Sequence, residues 1–379
     1  MIDDIYGIHK FLDNCIEEAN LPHQFLTDEL LLKRKRGMGF TGLADMFVMM
    51  GTRYGSVYSQ ELAREISYNM AKHTLIANVR LAKERGPAPI CLVKTSAVVT
   101  SENVDKDFIE QFIGSDYYTE LFFYAGKIDD NDWIREAKED IFKYGIRFTH
   151  GLAIAPTGTM SAVNNNMSSG IEPIFDLKGQ RNVIVDDKST KQLFDTYDHA
   201  YTQYVIKHYV DGGIHTEDDL PDNFEEKIRA FPLKSIAPER LLNAFVVTND
   251  LNVEDHLNIM GAVAPFMDQA ISKTINLPAE TTYEEYKGVW FKAWEMGIKG
   301  VTIYRPDPSM IAQVLVDQEV MAKTVYEFTL EDGSIVPLKG NQNVQYKGEI
   351  HNVANLADAI QQGKYGINMI SEELLTNEK

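Results

Sequence analysis

The chain has 379 residues, of which 44% are hydrophobic and 25% charged, and a formal net charge of −19. A chain of this length can bury a large core divided into two or three domains, while the acidic balance excludes a protein that coats nucleic acid, because phosphate backbones attract basic surfaces. No apolar run reaches the ~18 residues of a membrane span, and the start Met1-Ile2-Asp3-Asp4 is acidic where a signal peptide is basic.

In chain order, Phe11-Leu12-Asp13-Asn14 and Cys15 lie on a predicted amphipathic helix. The basic run Lys33 to Arg36 reads as a solvated helix end. Gly37-x-Gly39-x-x-Gly42 matches the dinucleotide fingerprint, but a run of basic residues cannot be the buried strand that fingerprint requires. The glycines instead predict close backbone packing where a strand turns into a helix over Leu43–Met50. Leu62, Ile66, Met70, Ile76 and Val79 recur at near-helical spacing, which predicts one core-facing helix from Val57 to Gly86, stopped by Gly86-Pro87. Cys91 falls in a loop after Pro87-Ala88-Pro89-Ile90. The two distant cysteines give no disulfide framework and no metal-ligand spacing, which suits a reducing cytoplasm.

The most informative stretch is Ala153-Ile154-Ala155-Pro156-Thr157-Gly158-Thr159-Met160-Ser161, where an apolar strand-like run ends in small hydroxyl-bearing residues. Thr157, Gly158, Thr159 and Ser161 can turn N–H groups and hydroxyls toward one oxyanion, and a helix beginning just after them adds its positive dipole end. Pro156 and Met160 complete the candidate phosphate-binding loop, and no Gly-Lys-Ser/Thr follows to make it a Walker loop. A second polar turn runs from Asn164 through Ser168-Ser169-Gly170-Ile171-Glu172-Pro173, with Glu172 read as a structural hydrogen-bond partner rather than a catalytic acid. His150 and His256 have no second ligand at i+3 or i+4 and read as packed or surface residues. Tyr286, Trp290 and Trp294 repeat every four residues on a helix capped by Gly297, and Gly300 to Tyr304 reads as a buried strand. From about Thr324 the pattern becomes β-rich: an alternating strand Val325–Leu330, a hairpin turn Glu331–Ser334, a strand and turn over Asn343–Gly348, then a helix near Leu356–Gln362.

Several of these segments together resemble the large chain of ribonucleotide reductases, in the adenosylcobalamin-dependent form. The two polar turns resemble the family's phosphate loop and its Ser-Ser-Gly-Ile-Glu-Pro segment. Arg34 to Asp45 resembles its Arg-x-x-Gly-x-Gly-x-x-Gly-Leu-Ala-Asp element, Phe11–Asn14 the helix before it, and Ser272–Pro278 and Gly297–Arg305 follow in family order. The resemblance implies an α/β fold, with residues 1–322 as the second half of a ten-stranded α/β barrel and 323–379 as a small appendage of unknown role. It implies thiyl-radical reduction of a ribonucleoside di- or triphosphate, with a dithiol as reductant. The family's Asn-Pro-Cys-Gly-Glu loop and reducing cysteines are not here, and residues 320–379 contain no cysteine. In family order the radical cysteine precedes residue 1, so the expected partner is a separate N-terminal half, without which an open half-barrel should be sticky or partly unfolded. The strand Val301–Arg305 has a single tyrosine, Tyr304, where radical-importing reductases carry an adjacent pair, which favours adenosylcobalamin as the radical source. The rival expectation is a non-catalytic regulatory or interaction paralogue. A split gene also fits a viral genome, with the protein working in the host cytoplasm.

Overall fold

The computed structural model describes residues 2–93, 103–128, 132–184, 191–211, 224–231, 233, 239–279, 281–305, 325–329, 335–346, 349–353 and 356–357. The chain divides into two compact units, one of residues 1–173, 238–275 and 284–303, the other of 174–237, 276–283 and 304–379.

The first unit opens with α1 (Ile2–Glu17), α2 (Gln24–Lys33), α3 (Leu43–Met49) and α4 (Val57–Arg85). The Ser56 hydroxyl caps α4 by accepting the Ser59 N–H at 3.2 Å, and Gly86 at φ 82° ends it, because a left-handed residue breaks the helical ladder and Pro87 cannot resume it. The buried stripe of α4 runs through Ala63, Ser67, Ala71, Thr74, Asn78 and Leu81, whereas Leu62, Ile66 and Ile76 are only half-buried. α4 packs against α1 and the Val253–Val263 helix, and its buried residues also include Tyr68, Met70, Leu75 and Val79, so Met70 and Val79 lie in the core as their spacing predicts. Helices α5 (Lys106–Ile113), α6 (Asp116–Ile128) and α7 (Asp132–Tyr144) follow. Cys91 ends a short 3-10 turn, Pro89–Cys91, and burial pushes its thiol up to about 12; neither it nor Cys15 is in a disulfide.

Behind these helices lies a set of short, side-by-side extended segments. Met38 bridges Leu152 and Ile154 bridges Ile271, both in the parallel sense. β3 (Thr274–Asn276) pairs with β4 (Thr302–Tyr304). The segments near residues 36–38, 151–154, 269–276 and 302–304 are therefore neighbours in that order. The mixed helix and strand content is the expected α/β class, but among the described residues no sheet has more than two named strands and none closes. β4 is shorter than the expected Gly300–Tyr304 strand and is not buried: Thr302 and Tyr304 are exposed and Ile303 half-buried. The aromatic stripe is likewise outside, since Val289 and Ala293 are the buried residues of the Tyr283–Glu295 helix while Trp294 is 75% exposed.

The basic run is not solvated throughout. Arg34 and Arg36 are buried with Arg147 around Asp13, which is fully buried; Asp13 Oδ1 receives Arg34 at 2.8 Å and Arg36 at 3.0 Å, and its Oδ2 receives Arg85 at 2.8 Å. A left-handed Arg34 at φ 52° ends α2 and turns the run inward, a bend that residue type alone does not announce. The glycines behave as expected: a Cβ at Gly39 would stand 2.2 Å from the Ala153 carbonyl oxygen, so only glycine lets these backbones meet.

In the second unit β1 (Lys178–Ile184) and β2 (Lys191–Tyr197) form an antiparallel ladder. β5 (Val325–Thr329) pairs with β6 (Ile335–Lys339), and β7 (Asn343–Tyr346) with β8 (Glu349–Asn352), again antiparallel, as the alternation in this region predicts. Phe328, Val344, Val353 and Leu356 bury one another beneath these hairpins. The turn Glu331–Ser334 lies outside the described residues; of the helix expected near Leu356–Gln362, Leu356 and Ala357 are described and are helical.

Candidate functional site

The parallel segment 151–154 carries the chain into Ala155 and Pro156, both exposed, and then into the short helix α8 (Gly158–Val163). Thr157 sits between them at φ 45°, ψ 22°, a left-handed conformation that a β-branched side chain adopts only when its surroundings hold it there. The first helical bond is the Ser161 N–H to the Thr157 carbonyl at 2.8 Å, so by position the N–H groups of Gly158, Thr159 and Met160 have no acceptor inside the helix. All three residues are exposed, and a Cβ at Gly158 would meet nothing within 4 Å. The loop thus presents three backbone donors to open space.

The hydroxyls divide differently from the expectation that Thr157 and Ser161 both face an anion. The buried Ser161 hydroxyl donates to the Met167 carbonyl, which ties α8 to the second polar turn. Thr41 donates to the Ser168 carbonyl at 2.8 Å and lies 3.1 Å from the Thr157 hydroxyl. With Thr41's one proton committed, the Thr157 hydroxyl is the donor in that pair. The Gly170 N–H then donates to both oxygens, at 2.8 Å to Thr157 and 3.1 Å to Thr41. Asp45 accepts the Ser168 N–H at 2.6 Å, and the Gly42 N–H donates to the Ser168 carbonyl at 2.8 Å. One end of the glycine-rich segment, Thr41 to Asp45, is therefore the clamp that holds both polar turns. Thr159, whose exposed side chain stands in the first turn, is the hydroxyl on the open side.

Glu172 ends the second turn as a hydrogen-bond partner, as expected. Its Oε2 accepts Lys273 Nζ at 2.6 Å and its Oε1 accepts the Thr274 N–H at 2.6 Å. Lys273 is 1% exposed, and Nζ also contacts His256 Nδ1 at 2.9 Å and donates to the Thr274 carbonyl. Burial lowers the Lys273 pKa against the pull of Glu172, and the three acceptors around Nζ are the partners an ammonium needs. Burial, with Lys273 alongside, pushes His256 down to about 2, so it is neutral with Nδ1 as the acceptor. His256 is a packed histidine, and His150 is half-buried with Nδ1 3.0 Å from the Thr149 hydroxyl. Lys273 was missed as a site residue; the available signal was the period of two that sets Ile271, Lys273 and Ile275 on one strand face.

Beside the loop, Ala153, Ile154, Gln269, Ser272, Gly300 and Thr302 line an open hollow of about 510 Å³. Among the described residues no group of three His, Cys, Asp or Glu side chains is placed to hold a metal, and no helix is long and apolar enough to cross a membrane.

Comparison with known proteins supplies the context for this geometry. Over 306 residues, 80% of this chain and 36% of the other, the chain is 23% identical to the vitamin B12-dependent ribonucleoside-diphosphate reductase of Mycobacterium tuberculosis strain CDC 1551. It is 25% identical to the vitamin B12-dependent ribonucleotide reductase of Streptomyces avermitilis, covering 78% of this chain and 30% of that one. A Thermoplasma acidophilum vitamin B12-dependent ribonucleoside-diphosphate reductase is 24% identical, over 83% of this chain and 33% of its own length. The chain thus spans about a third of the length of these relatives. The barrel-domain profile of ribonucleotide reductases matches residues 3–304, most of the chain and every segment that builds the loop and its clamp, and the chain belongs to that family.

Proposed function

We propose that this chain is the C-terminal part of a split, adenosylcobalamin-dependent ribonucleotide reductase. It contributes the second half of a ten-stranded α/β barrel within residues 1–322, with 323–379 as a β-rich appendage. It grips the phosphates of a ribonucleoside di- or triphosphate with the loop Pro156–Ser161, in which Gly158, Thr159 and Met160 supply the donors while Thr157 and Ser161 hold the loop in shape. The radical cysteine and the reducing cysteine pair come from a separate N-terminal chain. The reaction replaces the ribose 2′-hydroxyl by hydrogen and releases water, while a dithiol supplies two electrons and two protons and becomes a disulfide. That chemistry belongs in a reducing cytoplasm.

The observation that carries the reading is the pair of clamped turns, which leaves the Gly158, Thr159 and Met160 N–H groups facing open space in a chain whose match spans residues 3–304. Adenosylcobalamin is favoured by the relatives' names and by the lone Tyr304; homolysis of its cobalt–carbon bond would supply the radical.

The test is deoxycytidine nucleotide formation from the ribonucleotide, with adenosylcobalamin and a dithiol, by this chain alone and by its mixture with a chain carrying the cysteine loop. Activity in the mixture, dependent on cobalamin, is the expected result. Activity of this chain alone would overturn the split arrangement, and an inactive but stable complex would favour a regulatory paralogue.

A further inference from the structure

Thr41 lies outside the phosphate loop, yet its hydroxyl is the junction on which the loop's conformation turns. It spends its proton on the Ser168 carbonyl at 2.8 Å, which leaves its oxygen as an acceptor for the Gly170 N–H at 3.1 Å and for the Thr157 hydroxyl at 3.1 Å. This order of donors has two consequences. The Thr157 side chain is locked onto Thr41, which holds a β-branched residue at φ 45° against its own preference. The Thr157 proton is also withdrawn from the open side, so the loop meets a ligand with the backbone donors of Gly158 to Met160 in a fixed direction.

We propose that Thr41 is a positioning residue for substrate phosphate: it acts through Thr157 to hold the donors of residues 158–160 convergent, without touching the nucleotide. The inference rests on the reading of Pro156 to Ser161 as the phosphate loop. Releasing Thr157 from its left-handed conformation re-aims the first peptide groups of α8, whereas the strand before the loop keeps its own ladder bonds, such as Ala153 N–H to Met38 carbonyl at 3.0 Å. The loss therefore falls on phosphate affinity rather than on the fold.

The experiment titrates this chain, in its complex with the complementing N-terminal chain, with inorganic pyrophosphate and follows the amide resonances of Gly158, Thr159 and Met160, in the wild type, Thr41→Val, Thr41→Ala and Thr41→Ser. Thr41→Val keeps the shape and removes the hydroxyl; Thr41→Ala removes it without any demand on packing, should the valine variant fail to fold. Expected are saturable shifts at these three amides in the wild type, affinity weaker by about fivefold or more in the valine and alanine variants, and recovery in Thr41→Ser. Equal affinity in wild type and in a folded Thr41→Val or Thr41→Ala overturns the proposal. So does a Thr41→Ser variant as weak as Thr41→Val, because the methyl group would then be what matters. Absence of any shift in the wild type instead fails the phosphate-loop reading itself, and the role of Thr41 with it.

Discussion

Burial alone would raise the pKa of Asp13, but hydrogen bonds from Arg147, Arg85 and Arg34 outweigh it and hold the carboxyl well below its ordinary range. A carboxyl that ionises more readily folded than unfolded adds stability that is full above the unfolded pKa of about 4 and drains away as pH falls through the folded value. Asp268 has the opposite sign. Burial raises it to about 6, against the N–H groups of Gly151 and Leu152 that donate to it at 2.6 and 2.9 Å. Its ionisation costs stability, so its contribution is most favourable below about pH 4 and is lost as pH rises toward about 6. His256 and His9 act against it: held at about 2 and about 3 when folded, they take up a proton only on unfolding and so remove stability as pH falls below about 6. The Asp268 contribution is therefore read as a difference: the urea midpoint of Asp268→Asn should gain on the wild type as pH rises from about 4 to 6, and a difference flat across that window would refute the assignment. Asp13→Ala, which strands buried guanidiniums, should lose about 3–5 kcal/mol. At the loop, Ser161→Ala leaves the Met167 carbonyl without its donor and should cost about 1–3 kcal/mol of stability at little cost in nucleotide affinity. Thr159→Ala should do the reverse, weakening substrate about tenfold in the Michaelis constant of the reconstituted enzyme while the urea midpoint holds. The residue types of the loop were legible in the sequence, but the direction of each hydroxyl was not, because the partners Thr41 and Met167 are fixed by tertiary approach. Arg34 and Arg36 were misread for the same reason: a basic run looks alike whether it meets water or a carboxylate brought from 21 positions away.

Among the elements, the parallel pair at Met38 and Leu152 depends on an approach that excludes any side chain at Gly39. Gly39→Ala must push the Ala153 carbonyl away from a contact of 2.2 Å, and that carbonyl belongs to the segment leading into the proposed phosphate loop. The expected cost is at least about 1–3 kcal/mol in urea denaturation, with weakened nucleotide binding as the strand shifts. Gly158→Ala, whose Cβ meets nothing within 4 Å, is the control that should leave stability within about 0.5 kcal/mol. Unchanged stability in Gly39→Ala would show that the backbones can separate freely. Helix α4 was readable because its periodicity and its Gly86-Pro87 stop agree; Met70 and Val79 are buried as their spacing predicts, while Leu62, Ile66 and Ile76 flank a buried face that also takes in small residues such as Ala63, Ser67 and Ala71. β4 was over-read, since a run such as Val301-Thr302-Ile303-Tyr304 carries the same strand propensity at the side of a sheet as at its centre. The β1–β2 ladder was missed, because Lys178–Ile184 mixes polar and apolar residues without the alternation that marks a half-buried strand.

For the whole chain the governing fact is how little of its relatives' length it covers, about a third, while still carrying the barrel-domain match over residues 3–304. A parallel sheet is covered on both faces and paired along its edges when complete. Here the named strands pair only two at a time among the described residues, and large apolar side chains stand in water, including Phe11 at 65% and Trp294 at 75% exposure. Single exposed apolar residues are ordinary; the mark of a surface that another chain covers is that they join into one patch. If the complementing N-terminal chain is that cover, this chain alone should self-associate in light scattering and brighten a dye that reports apolar surface. Adding the complement should yield one defined complex, quench the dye and raise the urea midpoint, because a partner that binds only the folded state stabilises it by mass action. These changes should appear at the same stoichiometry as reductase activity, since the surface that is buried and the active site that is completed would form in one event. A chain that stays monomeric and dye-silent alone, and gains activity from the complement with no change in stability, would show instead that the exposed side chains serve something other than assembly of the barrel.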